Sequence, residues 1–417
     1  MLFKTFTPLL LIATLNVAQA QKDCTHDHTG LIPITDLGTD KYRGAMGGLY
    51  PDGSNTRPPD YLAKCIEHVQ AIQPLDHEGE FSEDGRIVML GIGASNPGSE
   101  FQKFKEISEY FEPLNDQLSI LNVSEPSVGI QEMYNVSEDY WEYVDDIITS
   151  NGLTAAQVQV IWIEEENTDV GDTTFPAAAV DLVNDYLNLL QVIHILFPNT
   201  QICYLTARAY SGYATADAGL NNGLKYPRDY MNGWALKWFI ENVINNELGY
   251  DFNEPDAQIP LVTWGTYHWT DGSTPREDGL FLDCDLDVGP DGLHLTGSGE
   301  LKMGNLMFNY FSTDTTAKYW FYDEDYTGIK NHYSESEIKL FPNPVTGELL
   351  HINTDEFQQN ESVTISVYST EGQLQISNQF NYSDNMTLDV GLLPAGIYLL
   401  QIYSDTKSTT HQFVITP

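Results

Sequence analysis

The chain has 417 residues and carries 60 Asp and Glu against 19 Lys and Arg, a formal net charge of −41. Phosphate backbones and anionic bilayers bind clustered cations, so this balance argues against a nucleic-acid partner and against an anionic membrane surface. With 41% hydrophobic and 12% aromatic residues, the composition is that of a folded chain of two or three domains rather than a disordered one.

Residues 1–20 read as a secretory signal. Lys4 supplies the positive start, Leu9 to Leu15 is a short apolar run, and Ala18-Gln19-Ala20 fits the small-x-small cleavage rule. The run is too short to cross a bilayer, and no later stretch approaches ~20 apolar residues, so no transmembrane segment is expected. An exported chain meets an oxidising compartment, where Cys24, Cys65, Cys203 and Cys284 are free to pair. Of the three connectivities, Cys24–Cys65 with Cys203–Cys284 is preferred. No C-x-x-C spacing marks a zinc ribbon or a thiol redox motif.

Residues 21–85 are rich in turn formers and contain one helix, 59–73. They read as an N-terminal extension packed on the main domain. From residue 86 strands and helices alternate. Strands are expected at 86–93, 117–122, 157–163, 200–206 and 259–264, and helices at 99–111, 137–150, 176–196, 226–246 and 296–311. Five strand–helix units with continuous apolar strands predict a three-layer α/β/α domain around a five-stranded parallel sheet, spanning 21–322. A TIM barrel needs eight such units. Residues 323–338 form an acidic linker, and 339–417 alternate apolar and polar residues as a C-terminal all-β sandwich.

In an open parallel sheet, ligands sit beyond the carboxyl ends of the strands. The segments expected there are Gly93-Ala94-Ser95-Asn96, Val128-Gly129-Ile130-Gln131, Glu164 to Asp169, Arg208 to Tyr213, Tyr267-His268-Trp269 and Asp291-Gly292-Leu293-His294. A serine hydroxyl becomes a nucleophile when a histidine takes its proton and a carboxylate orients that histidine. Ser95, His294 and Asp291 fill those roles. Gly129 and Asn167, with the Ser95 N–H, are the candidate oxyanion donors. Each has a plainer reading: Ser95 as a helix cap, Asn167 and Asp291-Gly292 as turn formers, His294 as a structural histidine. Arg208, Tyr210, Tyr213, Trp264, Tyr267 and Trp269 could wall a binding site or be core packing, with the loop Gly47 to Asn55 covering the same rim.

The α/β-hydrolase elbow G-x-S-x-G is a near miss, because Pro97 stands in its last place. Asp283, Asp285 and Asp287 sit in a stretch with part of a calcium-loop pattern. It lacks the sixth-position Gly and the twelfth-position carboxylate, so a solvated acidic loop is preferred, and no cofactor is expected otherwise.

The ordered set resembles the SGNH (GDSL-like) hydrolase superfamily, and within it an uncharacterised exported bacterial group. The most specific match is Asp291-Gly292-Leu293-His294 just before the last helix. Ala94 stands where that superfamily has Asp, and Glu166 where it has Gly. The resemblance implies a flavodoxin-like sheet, Ser95 as nucleophile, Asp291 and His294 as its partners, and an oxyanion hole from Gly129 and Asn167.

The tail resembles the type A sorting domain of the Bacteroidota type IX secretion system. The matching pieces are Leu340-Phe341-Pro342-Asn343-Pro344, Leu393-Pro394-Ala395-Gly396-Ile397-Tyr398-Leu399 and Gln412-Phe413-Val414-Ile415. That implies Sec export, passage across the outer membrane with the type IX machinery as partner, and a secreted or surface location. The function expected from both resemblances is a secreted serine esterase acting on an acyl or acetyl ester of a small molecule or carbohydrate. The alternative is a non-catalytic glycan-binding or surface protein on the same scaffold.

Overall fold

A computed structural model describes residues 22–323 and 339–415. It leaves out 112, 216–220 and 254 in the first stretch, and 344, 346, 348, 354–361, 370–373, 382–385 and 404–407 in the second. The signal segment and most of the linker expected from the sequence lie outside the described residues. The chain divides into two compact units, Met1–Gly328 and Ile329–Pro417.

The first unit is built on strands β1 (Ile87–Gly93), β2 (Leu118–Asn122), β3 (Val158–Glu164), β4 (Ile202–Ala207) and β5 (Val262–Tyr267). They form one parallel sheet in the order β2-β1-β3-β4-β5. Every residue of β1, β3, β4 and β5 is buried, which requires cover on both faces of the sheet. The helices are α1 (Pro59–Val69), α2 (Ser95–Ser108), α3 (Asp139–Ser150), α4 (Ala177–Leu196), α5 (Arg228–Ile244), the single turn α6 (Cys284–Asp287) and α7 (Gly297–Thr313). α2 packs on α7, with Phe104 and Phe311 rings 5.0 Å apart, and α4 packs on α5.

Two boundaries differ from the sequence reading in ways that matter. α2 begins at Ser95 rather than at residue 99. Pro97 falls in its first turn, where an absent N–H costs no hydrogen bond. A side chain on Gly93 would strike Pro97 Cβ at 2.2 Å, so glycine there lets this first turn close on the end of β1. β5 begins at Val262 rather than at 259, because Pro260 has no N–H to give to a ladder.

The N-terminal extension folds over the β4–β5 end of the sheet. Tyr210 donates to the His26 carbonyl, Tyr230 to the Ile32 carbonyl, and the Ile34 N–H donates to the Tyr267 hydroxyl. The loop at Gly47 to Asn55 runs along β5 instead of the rim, with Tyr50 bonded to Thr263 and the Leu49 carbonyl accepting from Trp264.

The expected disulfides are corrected. Cys24 is joined to Cys284, and Cys65 and Cys203 are free and buried. Cys65 faces inward from α1 and Cys203 lies inside β4, so each is fixed in the core, whereas Cys24 runs beside the start of α6. Burial pushes the Cys65 thiol up to about 12.

The second unit holds β6 (Lys339–Phe341), β7 (Leu349–Asn353), β8 (Ser362–Ser369), β9 (Leu374–Asn381), β10 (Met386–Asp389), β11 (Gly396–Tyr403) and β12 (Ser408–Ile415). They form two antiparallel sheets, β9-β8-β11-β12 and β10-β7-β6. Its core is Leu350, Ile352, Val363, Ile365, Val367, Leu400, Ile402 and Phe413, with others of the same alternating pattern.

Candidate active site

Ser95 is the first residue of α2, directly beyond β1, and its hydroxyl does not cap the helix. Its Oγ lies 2.8 Å from His294 Nε2. His294 is presented by a small antiparallel loop in which Val288 bridges Leu295 and the Gly289 N–H donates to the His294 carbonyl. Asp291 lies in the same loop. Its Oδ1 accepts the N–H groups of Leu293 and His294 at 3.0 Å each, and its Oδ2 accepts His294 Nδ1 at 2.5 Å. One carboxylate therefore fixes both the turn and the ring. With Nδ1–H held by Asp291, Nε2 presents its lone pair to the serine hydroxyl.

Partial burial works to raise the Asp291 carboxyl, but the hydrogen bonds from the His294 ring and from two backbone N–H groups outweigh it and hold the group below its ordinary value. The His294 side chain keeps 44% exposure, so the pair is open to a substrate.

Asn96 was not singled out by sequence reasoning. Its carboxamide joins the serine turn to the histidine loop through the Leu293 carbonyl and the Leu295 N–H. The signal for it was its place beside Ser95, at the end of an apolar strand.

The expected oxyanion residues fall differently. Gly129 lies where a Cβ would meet Gln131 Oε1 at 2.5 Å and Thr168 at 2.7 Å. Gln131 in turn bonds Thr168 twice and the Ile130 N–H donates to the Glu166 carbonyl, which ties the loops after β2 and β3 together. Asn167 is corrected. Its amide donates to Asp185 on α4 at 3.0 Å and to the Tyr134 hydroxyl at 3.4 Å, so its hydrogens are committed to joining loop and helix.

The expected binding wall is corrected as well. Arg208, Tyr210, Tyr213, Trp264, Tyr267 and Trp269 are all buried, and the N-terminal extension covers Tyr210, Trp264 and Tyr267. Trp269 donates to Asp229, Tyr213 to the Leu282 carbonyl, and Arg208 to the Gly223 carbonyl.

The acidic loop also resolves into internal partners. Asp283 caps α6, while Asp287 accepts from Ser298 and from Lys302, at 2.8 and 2.6 Å. Asp285 is exposed and 3.8 Å from Lys22. These three carboxylates form no common ligand set, which removes the calcium reading.

Beneath the rim lies a charged layer. Glu164, Glu165 and Glu166 are all buried at the end of β3, and burial raises each carboxyl above its ordinary value. Glu166 is salt-bridged to Arg228. His268, expected among rim aromatics, is fully buried beside Glu100 and Glu164.

No curated protein matches the chain. Residues 339–416 match the family described as the secretion system C-terminal sorting domain. Similar solved structures include a DUF3244 family protein with an immunoglobulin-like β-sandwich from Bacteroides vulgatus, at 20% identity over 20% of this chain and 88% of that one, with a TM-score of 0.17. Dimeric latent PorU from Porphyromonas gingivalis matches at 18% identity over 19% of this chain and 9% of that one, with a TM-score of 0.16. An endo-beta-1,4-mannanase double mutant from Cellulomonas fimi matches at 11% identity over 77% and 58%, with a TM-score of 0.20.

The sorting domain identifies a cargo of type IX secretion, delivered to the cell surface or exterior. Among the described residues no helix is long and apolar enough to cross a membrane.

Proposed function

We propose that the first unit is a serine esterase of the SGNH type, working outside the cell. The observation that carries this reading is the continuous relay from Ser95 Oγ through His294 to Asp291, at 2.8 and 2.5 Å. Ser95 Oγ attacks the ester carbonyl as His294 Nε2 takes its proton. Asp291 stabilises the imidazolium that forms. The oxyanion is received by first-turn N–H groups of α2, whose N-cap Ala94 offers no capping side chain, and by Gly129. His294 then protonates the departing alcohol and leaves Ser95 acylated; the same histidine deprotonates a water that attacks the acyl-enzyme, and returns that proton to Ser95 Oγ as the acid leaves. The six residues expected to wall a carbohydrate are buried, so the substrate class is an acyl ester rather than a carbohydrate ester in particular.

Ser95→Ala tests the reading on p-nitrophenyl acetate and on acetylated glycans. Turnover should fall by about 10³-fold or more. Undiminished turnover removes Ser95 from the chemistry.

A second reading, a non-catalytic surface protein on the same scaffold, draws on one observation: Asn167 spends its amide on Asp185 and Tyr134. Absence of labelling by a fluorophosphonate probe at Ser95 would favour it.

A further inference from the structure

Five residues into α2 from the nucleophile, Glu100 turns into the sheet. There it meets Glu164, the last residue of β3, and His268, the first residue after β5. Side-chain exposure is 0% for Glu100 and His268 and 1% for Glu164. We propose that these three side chains hold a divalent transition-metal ion of the zinc or manganese class. The proposal stands apart from the esterase reading.

Three observations carry it. First, donor atoms of all three residues lie within 4.8 Å of one another, with His268 Nδ1 2.7 Å from Glu100 Oε2 and 3.2 Å from Glu164 Oε2. Neither contact has hydrogen-bond geometry, and both Glu100 oxygens, Glu164 Oε2 and His268 Nδ1 lack a hydrogen-bond partner. Both contacts are ion pairs when His268 is protonated; with a neutral ring the same inward-facing donor atoms converge on one cation instead.

Second, the far side of the ring is held as a ligating histidine's is. His268 Nε2 lies 2.7 Å from Thr266 Oγ1, a contact that fixes the ring with Nδ1 turned inward. Third, Glu100 and Glu164 are buried side by side, with Glu165, Glu166 and Asp229 also buried, and a cation between the first two offsets their mutual repulsion.

The donor set selects the ion. Two carboxylates and one imidazole suit zinc or manganese. Calcium takes 6–8 oxygens, and copper(I) prefers sulfur. With Glu100 bidentate, the site offers four donor atoms and no exposed face. That makes it a structural centre, pinning α2, and so the Ser95 turn, to β3 and to the end of β5.

The test is the metal content of the purified, untagged full chain, measured by inductively coupled plasma mass spectrometry. About one equivalent of zinc or manganese per chain is expected, falling to under about a tenth in Glu100→Gln and in His268→Gln. Wild-type protein unfolded in chelator should refold with a higher melting temperature in ZnCl₂ or MnCl₂ than without metal. Thr266→Val, which keeps all three ligands, should bind the ion about 10–100-fold more weakly and keeps the test open if the ligand variants fail to fold. The proposal is overturned if wild-type protein stays metal-free after refolding with either salt, or if its melting is unmoved. It is equally overturned if the ligand variants carry as much metal as wild type.

Discussion

Asn96 brackets His294: its Nδ2 donates to the carbonyl of Leu293 at 2.9 Å, and its Oδ1 accepts from the N–H of Leu295 at 3.1 Å. The residue beside the proposed nucleophile thus holds the backbone on both sides of the proposed base. Across 199 positions of chain, this clasp and the Ser95–His294 contact are parallel links between the same two segments.

Asn96→Ala should therefore lower kcat by about 10- to 100-fold with KM nearly unchanged, since substrate contacts remain while serine and imidazole lose their alignment. Asn96→Asp keeps the acceptor for Leu295 and loses the donor for Leu293, so its kcat should fall between the two. The measurement is steady-state kinetics on p-nitrophenyl acetate with melting temperatures alongside. A loss of kcat that merely follows the melting temperature would reduce Asn96 to a structural role.

Asp291 gives a pH signature. Its folded-state carboxyl lies below the ordinary value, so its contribution to stability is present above the unfolded pKa of about 3.9 and is lost as pH falls through the lower folded value. Asp291→Asn lacks that contribution. The melting-temperature gap between wild type and variant should be flat from about pH 5 to 7 and close below about pH 4. A gap independent of pH would show that the carboxylate is not stabilised by its charge. The same variant should lose about 10³- to 10⁴-fold in kcat, because a neutral amide no longer stabilises the imidazolium.

The alternation of strands and helices made the sheet legible, because buried parallel strands are continuous apolar runs and need no tertiary information to recognise. Ser95, Asp291 and His294 were placed for a related reason: each lies at a connection to a helix that the alternation itself predicts, and their side chains meet there. The rest depended on what covers what. Tyr210, Tyr267 and Trp269 lie at strand ends, as a binding wall would, yet residues 22–34 roof them over, and nothing in their local spacing announces that. Asn167 is likewise in the expected place with its amide turned to Asp185, a partner 18 positions on.

The Cys24–Cys284 bond ties that roof to the loop that leads into Asp291, closing 260 residues of chain. Cys24→Ser with Cys284→Ser should cost about 2–4 kcal/mol of stability. It should also make the segment near residue 24 the first site of limited proteolysis. Equal protease resistance with and without the bond would show that hydrogen bonds such as Lys22 to Pro290 and Asp23 to Tyr213 hold the roof alone.

Glu166 and Arg228 make the clearest stability prediction. Both side chains are 2% exposed and salt-bridged to each other, and the Glu166 oxygens also receive the Asn167 N–H and the Asn232 amide. Removing one charge strands the other where water cannot reach it. Glu166→Gln and Arg228→Met should each destabilise the protein by about 3–5 kcal/mol. The double variant should recover part of that, since no lone charge is left behind. Urea denaturation of the four proteins gives the coupling directly. Additive losses, with the double variant as weak as the sum of the singles, would show that the two groups are compensated by other members of the layer, Arg208 foremost, rather than by each other.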